Sequence, residues 1–366
     1  MRPRAAWRQL DWGFLFLLAL LCGAGLSVLW SASHGPGGTV AAYAGKQARW
    51  MAIGGLVLTG AVVFDYRRLE SWAPWMYLGT LLTLAAVLAV GHTTMGAQRW
   101  IALGPIRVQP SEFAKISIAI VTAHVLAREP SDPPYGLRPL LVPAATVGLA
   151  CALVLLQPDL GTAVLMAGVA AVQVLFQGVR RGVLLGGMGA TAVALPAAWG
   201  FLHDYQRQRI LTFLDPERDP LGAGYHIIQS KIAVGSGQLL GKGFLQGTQA
   251  HLRFLPERHT DFIFSVLAEE WGFLGAAVVL ILFALWILWG LDIASRARDD
   301  FGRLLAVGLT AILFFHVLVN VGMVLGLLPV VGVPLPLFSY GGSSVVTTFL
   351  ICGLLLNIRM RRFGRF

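Results

Sequence analysis

The sequence predicts an all-α polytopic membrane protein of about ten transmembrane helices, with one large structured extracytoplasmic loop between spans seven and eight. Three observations carry that reading. Of the 366 residues, 56% are hydrophobic and only 13% charged, whereas an average soluble domain carries about 25% charged residues. The mean hydropathy is +0.71. The apolar residues also fall in blocks of about 20, the length a helix needs to cross roughly 30 Å of hydrocarbon. Soluble, fibrous and disordered chains are excluded by that combination.

In order, the spans are expected at 12–30, 47–64, 73–90, 112–127, 139–156, 161–177, 183–202, 264–289, 305–327 and 345–358. The first block has the outline of a signal peptide, with Arg2, Arg4 and Arg8 before it and Ser31-Ala32-Ser33 behind it. Its apolar run exceeds a signal core of roughly 7–15 residues and more spans follow, so it reads as an uncleaved helix. Trp12, Trp30, Trp50, Trp72, Trp75, Trp199, Trp286 and Trp289 fall near span ends, where indoles anchor at the headgroup level. Taking both ends and every second loop as one side, that side carries sixteen Lys and Arg, against four in the short loops of the other. Positive charge in short loops stays inside, which places both termini in the cytoplasm. No fixed-period repeat is visible, and 1–366 reads as one integral-membrane domain.

Residues 203–263 form a 61-residue outer loop with seven Lys/Arg and six Asp/Glu. Loops of that length in compact proteins are commonly functional or disordered. DPERDPLGAG and GSGQLLGKG punctuate it with turns, and the apolar stretch 225–234 predicts an amphipathic piece lying on the membrane. The shorter outer loops 91–111 and 328–344 also read as built.

The net charge of +10 does not mark a nucleic-acid binder, because the basic residues sit in short clusters between apolar blocks. Cys22, Cys151 and Cys352 each lie inside an apolar block, with neither disulfide nor metal spacing. Eight histidines are scattered without an HExxH pair, so no zinc site follows.

The informative charges sit at span edges facing the outer loops, where ionisable groups are costly and mark function by default. Asp261 directly precedes span eight. It is open to two readings from position alone. One is a general base where an amphiphilic substrate's head group meets the protein; the other is a helix N-terminal acid favoured by the macrodipole, with Thr260 as cap. His259 beside it reads first as an interfacial histidine and second as a proton carrier. Glu112 and Lys115 open span four on one helix face, as a cavity wall that offers Lys115 to a phosphate or as a buried ion pair. Asp159 follows Gln157-Pro158, and Glu269 and Glu270 lie just inside span eight. Arg99 and Arg107 run against the positive-inside trend and are candidate anion contacts, or ordinary headgroup contacts. GSGQLLGKG is not a Walker A loop, since Ser236 and Gly243 stand where Gly and Ser/Thr are required. It reads as turns, with Lys242 a weak phosphate candidate. SYGGSS (339–344) is either a site of close backbone approach or a simple turn.

The strings GAQRWI (96–101), QPSEFAK (109–115), QPDLGTA (157–163), DYQRQRILTFLDP (204–216), LPERHTDFIF (255–264), AEEWG (268–272) and GVPLPLFSYGGSS (332–344) resemble the SEDS family (shape, elongation, division and sporulation) along the whole chain. GAQRW and LPERHTDFIFSVLAEE are more similar to its elongation branch than to its division branch. AEEWG departs from the usual AEELG at Trp271, where only a packing effect is expected.

The resemblance implies a peptidoglycan glycosyltransferase in the bacterial inner membrane, with its active site on the extracytoplasmic side. Such enzymes polymerise lipid II into glycan strands. The acceptor GlcNAc 4-hydroxyl attacks the donor's anomeric carbon and displaces undecaprenyl pyrophosphate with inversion. The family's essential aspartate maps onto Asp261, and its span-four acid and lysine onto Glu112 and Lys115. A class B penicillin-binding protein is the implied partner, and a divalent cation (Mg2+ or Mn2+) is implied with ligands unassigned. An aspartate is ordinarily too acidic to be an ideal base, so its site is expected to raise its pKa. The leaving pyrophosphate needs positive charge, from Lys115, Arg99, Arg209 or a metal ion, with Lys242 a further candidate from the outer loop. Competing readings are a lipid II flippase, an ion-coupled transporter using Asp261, Glu112 and Lys115, and a non-catalytic scaffold of the transpeptidase. Transporters tend to show inverted repeats and paired broken helices, and the sequence shows neither.

Overall fold

The computed structural model describes residues 9–34, 43–94, 97–103, 106–201, 204–218, 223–251, 254 and 257–363. Arg2, Arg4, Arg8 and the side chain of Arg107 lie outside the described set. Seven long helices come first: α1 (Trp12–Ala32), α2 (Tyr43–Val63), α3 (Arg67–Val90), α4 (Pro110–Ala127), α5 (Leu141–Leu156), α6 (Leu160–Gln177) and α7 (Arg181–Ala198). Three shorter ones follow, α8 (Asp204–Leu214), α9 (Ala223–Ser236) and α10 (Thr248–His251). The chain ends with α11 (Ile263–Ser295), α12 (Asp300–Val324) and α13 (Gly342–Met360). Each predicted apolar block therefore falls on a long helix. Among the described residues, seven helical stretches are long and apolar enough to cross a membrane by length and composition. α2, α4 and α7 fall outside that set, α2 and α4 diluted by Lys46 and Arg49 and by Glu112 and Lys115.

Helices α12 and α13 form the centre. Their most apolar windows are 72% and 78% buried, against 17% for α3, as expected of helices that are apolar all round. α13 lies along α2, while α12 packs on α4, α6 and α11. Lipid supplies no hydrophobic drive between helices, so contact rests on small residues and buried hydrogen bonds. A Cβ at Gly353 would lie 2.7 Å from Ala61 Cβ, so only glycine lets α13 approach α2 there. Gln173 Nε2 ties α6 to Ala119 O (2.8 Å) and Leu304 O (3.0 Å). Asn357 Nδ2 donates to Ala61 O (2.7 Å) and Val62 O (2.8 Å), satisfying carbonyls orphaned at the end of α2. Outward faces expose Leu56 (75%), Val193 (74%) and Trp75 (73%), an apolar surface that suits lipid and not water.

Four details depart from the sequence reading. The 91–111 connection folds as an antiparallel sheet, β1 (His92–Thr94), β2 (Ala97–Leu103) and β3 (Ile106–Val108), in the order β1-β2-β3. Span eight runs on to Ser295, so Trp286 is not an interfacial anchor; it is fully buried beside Phe283. α11 is also broken at Gly272, where φ 63° and ψ −166° interrupt the helix. Finally, α9 does not reserve its apolar face for lipid. It buries Ile227 and Ala233 in packing against α11, and Ser230 Oγ meets Ser265 Oγ (2.8 Å) and Val324 O (2.7 Å).

Candidate functional site

The N-terminal ends of α4, α6, α11 and α13 converge on the extended segment 328–341. Pro110 starts α4 at a position that needs no amide donor. Glu112 and Lys115 then share one face, and both are buried. Lys115 Nζ lies 2.6 Å from Glu112 Oε1 and 2.6 Å from His316 Nε2 on α12. Thr347 of α13 donates to the other Glu112 oxygen at 3.4 Å. His316 Nδ1 is 3.1 Å from Pro334 O. A buried pair of this kind survives only where its remaining hydrogen-bonding capacity is met, and here neighbouring helices meet it.

Asp159 caps α6, accepting from Thr162 N (3.2 Å) and Thr162 Oγ1 (2.9 Å). Arg99, reaching in from β2, lies 3.8 Å from that carboxylate and donates to Pro158 O. A cavity of about 30 Å³ joins Arg99 and Asp159 to Glu112, Lys115 and Gly332. A second, of about 40 Å³, joins Arg99 and Asp159 to Gln206 and Arg209 of α8. One water needs roughly 10–15 Å³, so this seam takes small polar groups, and a sugar ring must sit at its mouth. Arg209 is exposed there and donates to Val330 O at 3.2 Å.

Asp261 stands at the same segment. Gly332, a lining residue of the Lys115 cavity, has φ 74°, and a Cβ built on it would lie 3.5 Å from Asp261 Oδ2. The aspartate belongs to the turn 257–262, closed by Thr260 N and Phe262 N onto Glu257 O (3.1 and 3.3 Å). Asn320 Nδ2 holds Asp261 O (3.0 Å) and Val333 O (2.8 Å), fixing turn and segment to α12. Ser339 Oγ donates to Thr260 O at 2.5 Å, and Tyr340 N to His259 O at 2.8 Å. Asp261 as a whole residue is partly buried, and among the described residues its carboxylate accepts no hydrogen bond. Burial pushes it up to about 6, with the Glu257 carboxylate adding to the rise and Arg209 opposing it. His259 stacks on Tyr43, centroids 4.2 Å apart and planes at 13°, and its burial lowers its pKa.

Lys242 lies outside this group. Its Nζ is 2.7 Å from the fully buried Glu269 and 2.8 Å from Thr248 Oγ1. The 237–243 turn docks on the broken α11: Lys242 N and Gly243 N donate to Glu269 O and Glu270 O, both at 3.0 Å, and Phe273 N donates back to Gln238 O at 2.8 Å. Non-helical backbone at membrane depth is tolerated only where protein satisfies it, and that turn does so. Ser31 of α1 closes the other side, donating to Glu270 Oε1 at 2.5 Å. Trp271 points outward and packs edge-on against Phe244.

Comparison with known proteins decides the lineage. Residues 11–363 match the family model described as the FtsW/RodA/SpoVE cell cycle protein. The chain belongs to the FtsW/RodA/SpoVE family. It is 47% identical over 350 residues to the peptidoglycan glycosyltransferase MrdB of Escherichia coli K12, covering 95% of this chain and 92% of that one. It superposes with TM-score 0.83 and 35% identity on a chain from a peptidoglycan synthase complex that coordinates polymerization and crosslinking, covering 97% and 99%. The rod shape determining protein RodA of Thermus thermophilus matches with TM-score 0.72 and 31% identity, over 97% and 98%.

In this FtsW/RodA/SpoVE chain, then, the fold gathers Asp261, Glu112, Lys115, Arg99 and Arg209 along one seam, sets His259 at its edge and sends Lys242 elsewhere. Sequence reasoning overlooked His316 and Asn320. Their signal was present: two polar residues four apart, hence on one helix face, inside the apolar run of α12. Among the described residues no three His, Cys, Asp or Glu side chains gather as a metal-ligand set.

Proposed function

We propose that the chain polymerises lipid II into glycan strands for cell elongation, with Asp261 as the general base. That it is a peptidoglycan glycosyltransferase of a multi-pass membrane family rests on the family match and on the relatives' described activity. The observation that carries the site is the Asp261 carboxylate, raised to about 6 and accepting no hydrogen bond among the described residues, beside a seam lined by Arg209, Arg99 and Lys115. A base works best when its pKa lies near the operating pH.

In this reading Asp261 takes the proton of the acceptor GlcNAc 4-hydroxyl as that oxygen bonds to the donor's anomeric carbon. The bond from that carbon to the pyrophosphate oxygen breaks on the opposite face, so configuration inverts and undecaprenyl pyrophosphate leaves with the electron pair. Such base assistance is worth about 10²–10⁴-fold. Lys115, Arg99 and Arg209 stand where the leaving negative charge develops, and the N-terminal ends of α4 and α6 add favourable dipoles.

A resident divalent cation does not fit the described side chains, which supply no three-ligand cage. Mg2+ is commonly held by one or two carboxylates plus substrate phosphates, so Mg2+ or Mn2+ would arrive with the pyrophosphate. The synthase-complex relative, which couples polymerization and crosslinking, supports a class B penicillin-binding protein as partner. The charge count supports a single integral-membrane domain with both termini in the cytoplasm, the 203–263 loop and Asp261 facing outward.

The test is lipid II polymerisation by the purified protein with its class B partner, wild type against Asp261→Asn. Chains from wild type alone, with the complex still forming, support the reading. Equal chains from both would remove Asp261 from the base role, and none from either would favour transport or scaffolding.

A further inference from the structure

Lys115 has an arrangement that the proposed reaction does not by itself require. Its ammonium carries three N–H donors, and two are committed, to Glu112 Oε1 and to His316 Nε2, both at 2.6 Å. The tautomer of His316 follows from its neighbours. Nε2 must accept from the ammonium, so Nδ1 carries the ring proton and donates to Pro334 O at 3.1 Å. His316 is thereby clamped between Lys115 and the segment that runs past Asp261. Lys115 also lines the cavity shared with Arg99, Asp159 and Gly332, and among the described residues its third N–H has no partner.

We propose that His316 is a positioning residue: as a neutral acceptor tethered to Pro334 O, it aims the third Lys115 N–H at the pyrophosphate of the lipid substrate. The assignment rests on the lipid II reading above. It differs from a proton-transfer role, because both ring nitrogens are occupied by fixed partners. It differs from mere packing, because the ring's acceptor and donor are each used in a set direction. Glutamine reproduces that pair of functions, with Oε1 accepting and Nε2 donating; phenylalanine keeps the approximate volume and supplies neither.

The experiment compares wild type, His316→Phe, His316→Gln, Lys115→Met and the Lys115→Met/His316→Phe double variant, each in complex with its class B partner. Two readouts are taken, binding of undecaprenyl pyrophosphate in detergent and steady-state lipid II polymerisation. His316→Phe is expected to weaken binding about tenfold and to lower kcat more than it changes KM, the pattern of a contact strengthened in the transition state. His316→Gln is expected to recover most of both losses. The double variant is expected to bind no more weakly than Lys115→Met, since His316 acts only through that lysine. Failure of glutamine to rescue, additive losses in the double variant, or unchanged binding in His316→Phe each overturns the proposal. If wild type made no polymer the lipid II reading would fail, while the binding arm would still decide the role of His316.

Discussion

Two acids at the starts of helices are treated in opposite ways by this fold. Glu112, in the first turn of α4, is sealed in, with Lys115 at 2.6 Å and Thr347 at 3.4 Å. Asp261, just before α11, is held rigidly by its backbone through Asn320, yet among the described residues its carboxylate receives no hydrogen bond. The first arrangement spends the carboxylate oxygens on fixed partners from two helices. The second makes a group whose charged form is disfavoured and which therefore has use for a proton. Burial alone thus separates nothing; what distinguishes the two is whether the buried lone pairs are already spent.

The largest expected effect tests the open member. Asp261→Asn keeps shape and removes basicity, so polymerisation should fall by about 10²–10⁴-fold, with the partner complex and thermal stability unchanged. A variant that retained more than a tenth of the wild-type rate would assign the base elsewhere.

The sealed member should respond in stability as well as activity. Lys115→Met leaves Glu112 buried without its cation, a change that typically costs about 3–5 kcal/mol. Removing both charges, as Lys115→Met/Glu112→Leu, should restore much of that stability while polymerisation stays low. Thermal unfolding in detergent checks it; a double variant as unstable as the single would show that the pair does not act as a unit.

A third expectation concerns the break in α11, the helix that follows Asp261. Gly272→Ala would place a Cβ 2.3 Å from Gly241 N at φ 63°, where strain costs on the order of 1–3 kcal/mol. The damage should appear as loosening of the 237–243 turn, read by faster hydrogen exchange at Lys242 and Gly243. Unchanged protection there would remove that turn from the scaffold of α11.

How far the sequence foresees this follows from the range of each interaction. The helical blocks and the face shared by Glu112 and Lys115 are local, and periodicity reveals them. The Gln-Pro pairs before α4 and α6 announce two of the converging helix starts. The break at Gly272 is not legible, because AEEWG reads as continuous helix until the 237–243 turn is known to dock on it. Lys242 looked available to phosphate for the same reason: its partner Glu269 is 27 residues away. Trp286 was misplaced by a boundary error, since span eight outruns its apolar core. His316 and Asn320 were legible as a polar pair on one face of α12, but the partners of His316 lie on α4 and in the 328–341 segment, so its role was not.

The smallest effect sharpens the contrast most directly, because it reads the proton itself. If Asp261 is the base, polymerisation should rise with pH along a limb centred near 6, the value to which its site pushes it. The base works ionised, so activity is present above that value and lost below it. Glu257→Gln removes a like charge that raises the aspartate, so the limb should move to lower pH. Arg209→Gln removes the cation that pulls it down, so the limb should move to higher pH. Lys115→Met should leave the midpoint where it is and lower only the plateau, since burial, Glu257 and Arg209 are the influences on Asp261. A stability term runs the other way. A folded pKa above the ordinary 3.8 means that stability from this group is fully present below 3.8 and declines as pH rises through about 6. Activity and stability should therefore cross in opposite directions over the same interval, measured as rate and as unfolding midpoint on one set of samples. Parallel loss of both toward low pH would mean that the limb reports acid unfolding of the bundle, and the free carboxylate would lose its claim to the chemistry.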